Sequence, residues 1–183
     1  MTLAPGSHKL GPGDGTLTVK TYREGVAAKA GHDLVIAVTR WDATVDVASP
    51  AEISAIALTA DSRSLEVREG VRGVKPLTDK DRREIRKNID EKVLGGQPIE
   101  FRSSGGVPVP DGGGRLVVEG ELTMAGSTRP VTMQLDVAAD GRIDGTVTLT
   151  QSAWGIKPYR GLMGALKVRD DVELVVDARL PAT

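Results

Sequence analysis

The sequence predicts an all-β protein, an antiparallel β-barrel with one amphipathic helix. Three observations carry this. Many short segments alternate apolar and polar residues at the two-residue period of a half-buried strand. Glycine-rich or Asp-Gly turns separate them. The period becomes helical only once, over about residues 79 to 94. A sheet of so many antiparallel strands must hide its edges, and curling closed does so. With roughly eight strands, the interior is filled by side chains or holds one small ligand.

Residues 1 to 14, rich in Gly and Pro and without periodicity, read as a flexible N-terminal tail, leaving 15 to 183 as the barrel domain. TLTVKTYRE opens the strands, with Leu17, Val19 and Thr21 alternating; EGVAAKAG follows as a short helical turn. HDLVIAVTR sets Leu34, Ile36 and Val38 on one face, and WDATVDV sets Trp41, Ala43, Val45 and Val47 on one face. ISAIALTAD and SLEVRE continue the pattern. In LTDKDRREIRKNIDEKVLGG, Thr78 caps, Asp79 and Asp81 suit the positive helix start, Ile85, Ile89 and Val93 recur at helical spacing, and Gly95 stops the helix.

IEFRSS is a strand and PDGGG a turn. LVVEGELTM, VTMQLDV, RIDGTVTLTQ and LKVRDDVELVVDARL then give four alternating segments expected to pair consecutively, with Asp140-Gly141 turning the middle pair. Small residues on the apolar faces, among them Ala43, Gly120, Gly145 and Ala178, mark either unfilled volume or bends needed for closure.

Composition removes several functions. Lys plus Arg total 24 against 25 Asp plus Glu, net charge -1, and the aromatics are 2 Trp, 2 Tyr and 1 Phe, so neither the charge nor the stacking surface for nucleic acid is present. Zero cysteines exclude disulfides, thiolate nucleophiles and cysteine-ligated metals. No apolar run is long enough for a membrane span, and MTLAPGSHKLGPGDG lacks an apolar secretory core, so a cytoplasmic protein is expected. Phosphate-loop, dinucleotide and G-x-S-x-G motifs are missing. With only His8 and His32, a histidine metal centre is not expected either; Asp170 and Asp171 alternate to opposite faces, and no cofactor is predicted.

Two groups of residues remain as ligand-binding candidates. Strand phase turns Ile36, Val45, Leu58, Leu122, Met133, Leu149, Leu174 and Val176 inward. The segment QSAWGIKPYRGLMGALKV joins rings, cations and glycines between two strands. It reads either as a gate, with Trp154, Tyr159 and Met163 against an apolar tail and Lys157 or Arg160 near a polar head, or as a plug packing the barrel end.

The segments GHDLVIAVTRWDATVDV, LTADSRSLEVREG, LTDKDRREIRKNIDEKVL, PIEFRSS, VEGELTMAGSTRPVTMQLDV and WGIKPYRGLMGALKVRDDVELVV, in this order and spacing, resemble the YceI family of lipocalin-like polyisoprenoid-binding proteins from about residue 15 to 180. GELTMAGSTRPV matches that family's G-x-L-T-hydrophobic-x-G-x-T-[KR]-P-hydrophobic block. The resemblance implies an extended lipocalin-like barrel with a helix around a long apolar tunnel for an isoprenoid chain, such as a quinone tail, with no catalysis. The first expectation is therefore a non-catalytic carrier or sequestering protein for an apolar, isoprenoid or quinone-like small molecule. Two alternatives stand beside it: a small enzyme on an apolar substrate using His32, Lys157 or Tyr159 for acid–base chemistry, and a filled barrel acting through protein contacts. Exposed strand edges also make a homodimer plausible.

Overall fold

The computed structural model describes residues 3–49 and 51–180. In chain order the elements are β1 (Gly6–Leu10), β2 (Gly15–Thr21), β3 (Arg23–Glu24), β4 (Asp33–Val38), β5 (Trp41–Ser49), β6 (Glu52–Ala60) and β7 (Leu65–Val71). Helix α1 (Asp79–Asn88) follows, then β8 (Ile99–Ser103), β9 (Val107–Pro108), β10 (Gly114–Met124), β11 (Ser127–Val137), β12 (Arg142–Thr150), β13 (Arg160–Gly161), β14 (Leu166–Val168) and β15 (Asp171–Arg179). The main sheet runs β1-β5-β6-β8-β10-β11-β12-β15-β2-β4-β7, with β9 against β6; β13, β14 and β3 form a small second sheet. Every pairing is antiparallel.

The sheet curls into a half-barrel whose terminal strands on the ladder are β1 and β7. Closure is made by other means. The corner after β4 bonds to the corner after β6 through Thr39 N–H to Ser64 O (2.9 Å) and Asp61 N–H to Arg40 O (3.1 Å). Helix α1 covers the free edge of β7, where the Arg82 guanidinium donates to the carbonyls of Val67 and Arg68. That is how an unpaired edge is blunted. Thr78 and Asp81 cap α1 reciprocally, and the helix unwinds into a π-helical turn at Ile89–Val93, tied down by Ser62 Oγ donating to Asp90 at 2.6 Å. Ile85, Ile89 and Val93 pack on the core, as their spacing predicts.

The four C-terminal segments pair consecutively, β10–β11–β12–β15. Ala125 and Gly126, at φ 48° and 75°, make the tight turn between the first two. The last segment differs from expectation. It breaks at Arg169-Asp170, so that β14 joins the small sheet and only β15 the main one, because Asp170 turns away to accept from the Ser152 backbone N–H (2.8 Å) and hydroxyl.

The β11–β12 ladder is much shorter than its neighbours. It joins only Asp136 to Asp144 and Val137 to Ile143 before the strands part; beyond, Arg129 Nε donates to the Ala153 carbonyl at 2.9 Å.

Residues 3 to 14 of the expected tail are not simply a tail. Gly6–Leu10 pairs with β5 along five residues, because the outer edge of β5 presents unsatisfied backbone groups, and Leu3 is completely buried in the core. Gly120 is neither unfilled volume nor a bend. A Cβ there would lie 2.3 Å from the Arg102 carbonyl oxygen and 2.5 Å from the Phe101 ring, so the protein's one phenylalanine occupies the space a side chain would need.

Candidate functional site: an apolar cavity within the barrel

The inward rows of the strands surround a cavity of about 720 Å³, within the ~300 to 1,000 Å³ typical of small-molecule sites. Its wall is chiefly Leu, Ile and Val. All eight inward candidates, Ile36, Val45, Leu58, Leu122, Met133, Leu149, Leu174 and Val176, lie on that wall. Met133, Leu174 and Val176 keep partial accessibility although they point inward, so their surface faces the cavity itself.

The loop candidates divide. Tyr159 reaches the wall of the cavity, but Trp154, Lys157, Arg160 and Met163 do not. Trp154 is 5% exposed, and its indole N–H donates to the Leu122 carbonyl at 2.8 Å, pinning the turn Gln151–Trp154 onto β10. The gate reading of this ring therefore gives way to the plug. A Trp side chain is large enough to fill the space between this turn and β10, and its one polar atom is satisfied there. Lys157, Arg160 and Met163 are exposed.

Polar groups gather where the cavity meets the start of α1. Thr78, Asp81, Glu84 and Asn88 lie one turn apart on the cavity side of the helix, the same side as Ile85 and Ile89. His32 stands opposite, its Nε2 2.6 Å from the Lys75 carbonyl, packed where any side chain on Gly73 would collide with the ring. Buried Asp33 fixes the surrounding loops: it accepts from the Arg23 backbone N–H at 2.9 Å and pairs with Arg72 at 3.3 Å. His32 thus holds a loop in place and Lys157 lies off the cavity wall, while Tyr159 shares that wall with His32. The helix-face polar residues were missed from the sequence, although the spacing that assigns Ile85 and Ile89 to the core also puts Asp81, Glu84 and Asn88 beside them. The sequence marks Trp41 only as a strand residue. It lines the cavity, and its Nε1 is buried with no hydrogen-bond partner among the described residues.

The hydrogen bonds from the Thr78 hydroxyl and backbone N–H hold the Asp81 carboxyl below its ordinary 3.8, with a smaller contribution from nearby His32. A carboxylate held low in the folded chain stabilises it above the ordinary value, and that contribution is lost as pH falls through the depressed one. The start of α1 is accordingly expected to stay capped at neutral pH and to loosen below 3.8. Amide NMR shifts of residues 79 to 82 should move in that range in the parent and much less in Asp81→Asn; identical titrations in the two proteins would refute the assignment.

Comparison with known proteins fits this geometry. The model of the YceI-like domain matches residues 18–180. The chain belongs to the YceI family. Among solved structures, this YceI-like chain is similar to BcnA of Burkholderia cenocepacia, with TM-score 0.60 and 20% identity, covering 88% of this chain and 94% of that one. It is also similar to a polyisoprenoid binding domain from Saccharophagus degradans implicated in plant cell wall breakdown, with TM-score 0.58 and 11% identity, covering 97% and 100% of the two chains. Identities this low establish a shared fold. No curated protein matches the sequence.

Proposed function

We propose that this YceI-like barrel binds one chain-like apolar lipid of the polyisoprenoid or quinone-tail class and carries or sequesters it unchanged. The observation that supports this most is the continuous aliphatic cavity, about 720 Å³ in a protein otherwise packed around a single core. An apolar chain entering it removes its own surface and that of the wall from water, worth about 25 cal/mol per Å² before the cost of ordering the chain. In this reading the lumen contacts are the eight inward residues, and the buried Trp41 N–H would gain an acceptor from an oxygen-bearing ligand. The polyisoprenoid-binding description of the S. degradans domain supports the ligand class.

Native mass spectrometry of freshly purified protein tests the proposal. The expected result is a population heavier by one lipid, or stoichiometric uptake of added undecaprenol with the lipid recovered chemically unchanged. Protein that carries nothing and refuses polyprenols and long-chain quinones would refute it; recovery of a converted lipid would turn the reading towards the enzyme.

A further inference from the structure

Three loops meet beyond one end of the cavity: residues 22 to 33, 71 to 77 and 154 to 169. They are joined by backbone bonds from Ala27 N–H to Ala165 O at 3.0 Å and Val74 N–H to Lys29 O at 3.3 Å, and by the β13–β14–β3 sheet. Arg23, His32, Lys75, Tyr159, Leu166 and Lys167 from these loops line the cavity, so together they form its rim.

Two features distinguish this rim from the rest of the surface. Most of the large apolar side chains that the described residues expose are here: Val26 at 98%, Met163 at 107%, and Val71, Val74, Tyr159 and Leu162. Leu162 and Met163 are consecutive and both in the left-handed region, at φ 47° and 53°. Such conformations are costly for residues with large side chains and are retained where the display of those side chains matters. The rim is also strongly basic. Its three loops hold eight Lys and Arg against two acidic residues, net +6, in a chain whose total is -1, so the remainder of the molecule carries -7. The first helical residues, 79 to 84, bring three charges of each sign and leave this asymmetry intact.

Exposed apolar tips ringed by cations are complementary to an anionic bilayer, whose headgroups attract the charges and whose interfacial layer accepts the apolar side chains. We propose that this rim is a membrane-docking surface for acidic phospholipid, with Val26, Val74, Leu162 and Met163 entering the interface. Docked this way, the cavity's rim faces the bilayer and a lipid passes between the two without crossing water. That last consequence depends on the carrier reading; the docking itself does not.

The test is flotation with vesicles of phosphatidylcholine alone or mixed with phosphatidylglycerol, at low and high salt. The parent is expected to float with the acidic vesicles, weakly with the neutral ones, and less at high salt. Val26→Asp with Leu162→Asp should cut the bound fraction about tenfold, through lost apolar contact and added negative charge. Both positions are exposed, and Asp tolerates positive φ better than Leu, so the fold is kept. The conservative pair Val26→Leu with Leu162→Met should float like the parent. A parent that ignores acidic vesicles, or a double Asp variant that floats like it, overturns the proposal. So does a self-associating parent whose dimer dissociates on the same substitutions while no form floats, since the patch would then belong to a second copy. Native mass spectrometry of the same samples separates the two readings: vesicle binding by protein that never holds a lipid removes the carrier reading and leaves the docking surface standing.

Discussion

Replacing Trp154 with Ala should cost about 3 to 5 kcal/mol of folding stability, the range for deleting a buried aromatic ring. The ring is nearly inaccessible and its N–H is bonded to the Leu122 carbonyl, so the substitution leaves both a void and a lost partner. Trp154→Phe refills most of the void and isolates the bond, with an expected loss of about 1 to 3 kcal/mol. Urea unfolding of parent and variants gives both values, with Trp41 as the remaining fluorophore in the two variants. A residue touching only ligand would behave in the opposite way, weakening lipid uptake while leaving the midpoint where it was. A Trp154→Ala midpoint within error of the parent would therefore remove the plug assignment.

Leu174→Trp should reduce uptake of a long polyprenol at least about tenfold while the protein stays folded, at a cost of no more than about 1 to 3 kcal/mol. Leu174 sits in the middle of β15, opposite Val147 on one side and Val19 on the other. It lines the cavity and retains accessible surface towards it, so an indole there grows into the lumen and not into packed neighbours. Leu122 is a poorer choice for the same purpose, because its backbone anchors Trp154 and its side chain is already buried. Uptake of undecaprenol and of a short prenyl alcohol, compared by native mass spectrometry, reports on length: the long ligand should be lost and the short one kept. A well-folded variant that loads both like the parent would show that the lumen is not the binding site.

Strand phase was readable because each segment has one face in the core, and a slip of one residue would reverse every side chain. Leu166 and Val168 show both the strength and the limit of that signal. They line the cavity in phase with Val172, Leu174 and Val176, yet belong to a different sheet, since the break at Asp170 depends on hydrogen bonds from Ser152, distant in sequence. β1 escaped notice for a related reason. Its pairing answers a need of β5, and GSHKL itself carries almost no periodic signal. Composition singles out the loop around Trp154, but it does not separate a ring that meets a ligand from one that packs a wall. That distinction rests on one bond across 32 positions of sequence. The basic rim was invisible in the net charge of -1, because folding brings together three segments whose surplus the rest of the chain cancels.

The parting of β11 from β12 bears on how much this molecule can hold. Hydrogen-bonded strands keep a fixed spacing of about 4.8 Å, which sets the circumference of a laced wall. Here the lacing covers two residue pairs at one end and a single arginine tie at the other. Between those points Val131 and Met133 of one strand and Val147 and Leu149 of the other face the cavity. Widening along this line would break fewer ladder pairs than along the β10–β11 ladder, which runs from Gly114–Val137 to Met124–Ser127. The cavity of about 720 Å³ is thus bounded, along this line, by a stretch of wall whose ladder is only two residue pairs long.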